Sequence, residues 1–141
     1  MTRIIALLNE KNHYLEKFYS LNEVELGNFV QGQFDNIEHF YQTRERILEV
    51  LKYVDSQIDK IQDQLEGANL MVETDRQQIR EALKIKDEYV TRIIEQDIQV
   101  LACIETAKNS IIRELQDTRK ARKAVGGYKT KTYNNRLDEE V

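Results

Sequence analysis

If this chain moved protons, attacked carbonyls or held a metal near neutral pH, the work would fall first to His13, His39 and Cys103. The two histidines belong to different predicted helices, too few and too scattered to make a metal-binding face. Cys103 lies between Ala102 and Ile104 with no histidine nearby and reads as an inert residue of a helix seam. Glu16, Glu38, Glu88 and Glu95 sit where solvated carboxylates flank a helix stripe. Nor do the glycines make a phosphate cradle: Gly27, Gly32 and Gly67 are isolated, and Gly126-Gly127 closes a predicted helix, where the dipole repels anions. These residue types predict no catalysis, no metal and no cofactor. Binding is the chemistry that remains.

For binding, the instructive region is the C-terminal third. Residues 1–104 carry 12 Lys/Arg against 19 Asp/Glu, whereas residues 105–141 carry 9 against 6, so an acidic body precedes a basic end. No acidic residue falls between Asp117 and Asp138, while Arg119, Lys120, Arg122, Lys123, Lys129, Lys131 and Arg136 are all basic. Such a segment caps a helix C-terminus, stays solvated or meets an acidic partner. Tyr128 and Tyr133 interleave with its cations, as in single-strand nucleic-acid binders, but the acidic body would repel phosphate at long range. Nucleic acid is therefore not the expected partner.

The elements that position these residues follow from periodicity. With no proline and five glycines in 141 residues, 40% hydrophobic and 33% charged, the composition suits long amphipathic helices in one domain. A first helix is predicted over about 3–30, capped by Thr2, with Ile5, Leu8, Leu15, Phe18 and Phe29 apolar and Asn12, Asn22 and Glu25 interrupting the seam. Gln31-Gly32-Gln33 is its natural stop. Asp35 with Glu38 then opens a second helix to about residue 65. Its seam steps by three and four through Ile37, Phe40, Arg44, Ile47, Leu51, Val54, Ile58, Ile61 and Leu65, with Arg44 the sole polar member. Residues 66–73 read as a loop whose Leu70, Met71 and Val72 pack over the bundle end. Thr74-Asp75-Arg76-Gln77 matches a capping box and starts a third helix, about 75–124, with Ile79, Leu83, Val90, Ile94, Ile98 and Leu101 among its apolar positions. Residues 1–127 are expected to form a single bundle, and 128–141 a polar, flexible tail.

Length gives the functional expectation. The first two helices span roughly 42–47 Å at 1.5 Å per residue, and the short turn makes them antiparallel. The third helix returns alongside and uses up that length by about Glu105. Beyond it, Ile111, Ile112 and Leu115 still mark one apolar face, which needs a partner because an isolated amphipathic helix is marginal in water. The expectation is an all-α, antiparallel three-helix coiled-coil bundle with a long C-terminal helix. Its partner-binding residues are Ile111, Ile112, Leu115 and Val125 as anchors and Arg119, Lys120, Arg122 and Lys123 as a polar rim.

The turn Val30-Gln31-Gly32-Gln33-Phe34-Asp35, followed by Arg44-Glu45-Arg46-Ile47-Leu48, resembles the helix junction of the FlgN/FliT-type flagellar export chaperones. The run Ile93-Ile94-Glu95-Gln96-Asp97, then Ile104-Glu105, Lys108, Ile111-Ile112 and Glu114-Leu115, is similar to their final helix. Arg122-Lys123-Ala124 with Tyr128 is similar to its basic, tyrosine-bearing close. The resemblance covers most of residues 20–128. It implies a type III (flagellar) export chaperone that binds hook-junction or filament-cap subunits through its C-terminal helix, Tyr128 included, and prevents their premature assembly. Export-apparatus components are further candidate partners, and a second copy of the chain is expected to cover the face when no client does. Two other classes remain open: a structural coiled-coil homo-oligomer, and a regulator that sequesters another protein. No apolar run approaches the roughly 20 residues of a membrane span. Met1-Thr2-Arg3 and the five apolar residues after it are too short for a secretion signal, so the cytoplasm is the expected location.

Overall fold

The computed structural model describes the backbone of residues 2–65 and 72–140 and the side chains of residues 3–64 and 72–126. Three helices account for nearly all of it: α1 (Thr2–Val30), α2 (Ile37–Leu65) and α3 (Glu73–Glu140), with no strand among the described residues. The chain divides into two compact units, Met1–Cys103 and Ile104–Val141, where a single bundle over 1–127 was expected.

Local chemistry sets the ends of the helices. Gly32 adopts φ +78°, and its N–H donates to Phe29 O at 3.0 Å while that of Gln33 donates to Asn28 O at 2.9 Å. This 5→2 and 6→1 pair is a Schellman cap, which satisfies carbonyls that the helix end would otherwise orphan. Phe34 stacks on Phe29 with ring centroids 5.1 Å apart, and Phe40 meets Phe29 edge-on at the same distance. The turn is thereby fastened by an aromatic cluster as well as by hydrogen bonds. The start of α2 differs from the expected Asp35 cap: Ile37 N–H turns back to Phe34 O, and Asn36 O accepts the first helical bond, from Phe40. α3 begins earlier than expected too, with Val72 O accepting from Arg76 and the carboxylates of Glu73 and Asp75 in the first turn favouring the helix dipole. The expected packing of Leu70 and Met71 lies outside the described residues, and Val72 is exposed.

Within Met1–Cys103 the helices form an all-α three-helix bundle. Lys11 on α1 pairs with Asp55 on α2 at 2.6 Å, and Arg44 on α2 with Asp97 on α3 at 3.0 Å. Asn12 Nδ2 on α1 donates to Ala82 O on α3 at 2.9 Å, and further along both helices Gln96 Nε2 donates to Tyr19 O at 3.1 Å. Residue numbers thus rise together along α1 and α3 and fall along α2, an up-down-up order. One apolar cluster joins Ile4, Leu7 and Leu8 to Val54, Ile58 and Ala82; another joins Leu15 and Phe18 to Leu51 and Ile93. The stepped seam of α2 is buried or half-buried from Ile37 to Ile61, as its three-four spacing predicts.

Two expectations about α3 are corrected. The helix continues through Gly126-Gly127 to Glu140 instead of stopping near 124, and the segment expected as a flexible tail is helical. A glycine stops a helix by taking a left-handed conformation, and among the described glycines only Gly32 does so. The core-facing stripe also differs. Ala82, Ile93, Gln96 and Val100 are buried, whereas Leu83, Ile94, Ile98 and Leu101, expected as seam residues, are exposed. The reason is polar. Asp97 Oδ1 receives both Arg44 and Asn22, and Gln96 Nε2 reaches Tyr19 O and Glu23 Oε2, so these partners turn that face of α3 inward.

Candidate protein-binding faces of the third helix

In Ile104–Val141, the described surface of α3 carries apolar side chains of a kind that helices bury. Ile111 and Leu115 stand one turn apart, Ile112 and Leu115 three residues apart, so the three make one contiguous patch on the helix. With Val125 they are between 41% and 57% exposed. Val125 lies two heptads after Ile111, which returns it to the same side of the helix. Arg119, Lys120, Arg122 and Lys123 are exposed between Leu115 and Val125, giving the patch a positively charged C-terminal neighbour. Thr118 Oγ1 donates back to Glu114 O at 2.8 Å, so its hydroxyl is satisfied within the helix and the Thr118 position presents mainly its methyl. A shallow depression of about 470 Å³ runs between Thr118, Ala121, Arg122, Val125 and Gly126. The side chain of Tyr128, expected to join this set, lies outside the described residues.

Met1–Cys103 presents a second apolar face, which periodicity alone assigned to the core. Ile94, Ile98 and Leu101 are between 53% and 63% exposed. Toward the start of α3 the same helix carries Asp87, Glu88 and Arg92, which with Leu83, Lys84 and Thr91 line a shallow groove. A signal for the true core face did exist in the sequence. Ala82, Lys86, Tyr89, Ile93, Gln96, Val100 and Cys103 step four-three without a break, and all are buried or half-buried. Lysine and glutamine in that run hid it behind the more apolar series.

The residues first considered for chemistry are dispersed. His13 meets the ring of Tyr14 edge-on at 5.6 Å, His39 is exposed, and Cys103 is half-buried. Among the described residues no three His, Cys, Asp or Glu side chains converge to hold a metal ion, and no helix is long and apolar enough to cross a membrane. Two exposed apolar faces of α3 are what the geometry offers: Ile94, Ile98 and Leu101 in Met1–Cys103, near side chains of both charges, and Ile111, Ile112 and Leu115 in Ile104–Val141, followed by cations. No protein-family model, curated protein or solved structure gives a significant match to this chain.

Proposed function

We propose that this chain is a binding protein that holds an amphipathic helix of another protein against α3 in the unit Ile104–Val141, and that its client is a secreted flagellar subunit. The observation that carries the reading is the exposure of Ile111, Ile112, Leu115 and Val125 beside four cations. Helix-in-groove recognition uses anchors at i, i+3 and i+4 with a charged rim that orients the partner. A client helix that is apolar on one face and prone to assemble early would be shielded there. The client class, hook-junction or filament-cap subunits held in the cytoplasm before export, rests on the resemblance to flagellar export chaperones. Export-apparatus components would meet the chaperone–client complex afterwards.

The test is a calorimetric titration of the full chain against hook-junction and filament-cap subunits, repeated with Ile112→Asp/Leu115→Asp. Both substituted residues are exposed, so thermal melts of the variant should match those of the parent. Placing two carboxylates against apolar client surface should cost several kcal/mol, on the order of a thousandfold loss of affinity. Unchanged binding by the variant would move the client face elsewhere, and no binding by the parent chain to any such subunit would remove the flagellar client.

A further inference from the structure

Inside Met1–Cys103, α3 is held to its neighbours differently from the way α1 and α2 hold each other. Among the described residues, α1 supplies seven of the fourteen buried apolar side chains and α2 four, whereas α3 supplies three: Ala82, Ile93 and Val100. Ile79, Tyr89 and Val90 add only half-buried contacts. Amides fill the remainder of the contact between α1 and α3. Asn12 Nδ2 donates to Ala82 O at 2.9 Å, Asn22 Nδ2 to Asp97 Oδ1 at 3.4 Å and Gln96 Nε2 to Tyr19 O at 3.1 Å. All three side chains are more than nine-tenths buried, and the carbonyl oxygen of each has no hydrogen-bond partner among the described residues. Turning the amides over gives no relief, because each would then set its oxygen against another oxygen. We propose that the part of α3 in Met1–Cys103 is a releasable cover, which separates from the α1–α2 hairpin as a unit while the hairpin stays paired.

The reason lies in what each separation would expose. Lifting α3 away returns water to three sealed carbonyls, which offsets part of the apolar burial that is lost. Parting α1 from α2 returns water to no such group and breaks more. It would undo the packing of Phe29 against Phe34 and Phe40, the ion pair between Lys11 and Asp55, and the larger share of the apolar core. The charged tie on α3 does not reverse this balance. Asp97, which receives Arg44 and Asn22, keeps about a third of its side chain in contact with solvent, so it fixes the register of α3 more than it holds the helix down. Release uncovers Leu8, Leu15, Phe18, Leu51 and Ile58, the apolar lining of the hairpin. Units of this kind open below the free energy of global unfolding and carry the moving parts of a fold. The cover belongs to Met1–Cys103 alone and does not depend on the client reading, and its test uses no client.

Native-state hydrogen exchange on the full chain is the test, because a helix without tertiary contacts protects its amides little. The slowest amides between Ala82 and Val100 should exchange at least about tenfold faster than the slowest around Leu15, Phe18, Leu51 and Val54. Their rates should also respond less to low concentrations of urea, since release exposes less surface than unfolding does. One common rate and one common urea dependence for all three helices would overturn the proposal. Two variants, Asn12→Leu and Gln96→Met, then assign the cause, each removing one sealed oxygen. Ala82 O and Tyr19 O keep their partners in the helix ladder and Glu23 is exposed, so neither change strands a buried group. Each should slow exchange between Ala82 and Val100 by about three- to tenfold. Exchange that is unchanged or faster in both variants would show that these amides do not loosen α3, and would overturn the proposal.

Discussion

Arg44 Nη2 on α2 donates to Asp97 Oδ1 on α3 at 3.0 Å, and Asn22 Nδ2 on α1 reaches the same oxygen at 3.4 Å, so one carboxylate ties all three helices together. The guanidinium also lies over Phe18 and Phe40, with Cζ 4.9 Å and 5.1 Å from the ring centroids. Asn22 is fully buried, and its Oδ1 has no hydrogen-bond partner among the described residues. A polar layer of this kind contributes less to stability than to specificity, because only one helix register lets donors and acceptor meet.

Asp97→Ala should therefore destabilise the bundle by about 1–3 kcal/mol, since it strands a mostly buried guanidinium and a buried amide. Arg44→Met should cost less, because the methionine keeps its packing on the aromatic rings. A double-mutant cycle in urea should give a coupling energy of about 0.5–2 kcal/mol between the two positions, and coupling near zero would mean that the pair does not act as a unit.

Leu51 and Leu48 stand three residues apart on α2 but differ in surroundings: Leu51 packs with Leu15, Phe18 and Ile93, while Leu48 is exposed. Leu51→Ala should lower unfolding free energy by about 2–5 kcal/mol, and Leu48→Ala should stay within about 0.5 kcal/mol. Equal losses in chemical denaturation would contradict the placement of the seam.

The glycines should respond with opposite signs. Gly32 needs its φ of +78°, so Gly32→Ala should destabilise by about 1–2 kcal/mol. Gly27 lies inside α1 with open space around an added Cβ, and Gly27→Ala should stabilise by about 0.5–1 kcal/mol through the better helix propensity of alanine. Thermal melts distinguish the two directly.

Neutralising Arg119, Lys120, Arg122 and Lys123 to glutamine should slow association with a client and flatten its dependence on salt, with a smaller change in dissociation rate. Stopped-flow measurements at two ionic strengths check this. If association is unchanged while dissociation accelerates, these cations form desolvated contacts and not a steering rim.

The sequence by itself was enough to determine the three helices, the glycine turn at Gly32 and the seam of α2. Those features are local: three-four spacing of apolar residues and one position that demands a left-handed backbone act over a few neighbouring residues. The stripe of Ile111, Ile112 and Leu115, which the structure leaves exposed, was also legible from its helical spacing. Only the tertiary structure decided which side of α3 faces inward. Ile94, Ile98 and Leu101 outrank Ala82, Gln96 and Val100 in hydrophobicity, yet the latter are buried. The choice turns on Asp97, Gln96, Arg44 and Asn22 meeting across three helices, a match between residues as many as 75 positions apart that no periodicity along one helix contains. The end of α3 was misplaced for a related reason: Gly126-Gly127 permits a stop but does not compel one, since glycine tolerates a right-handed helix at a cost of only about 1 kcal/mol relative to alanine.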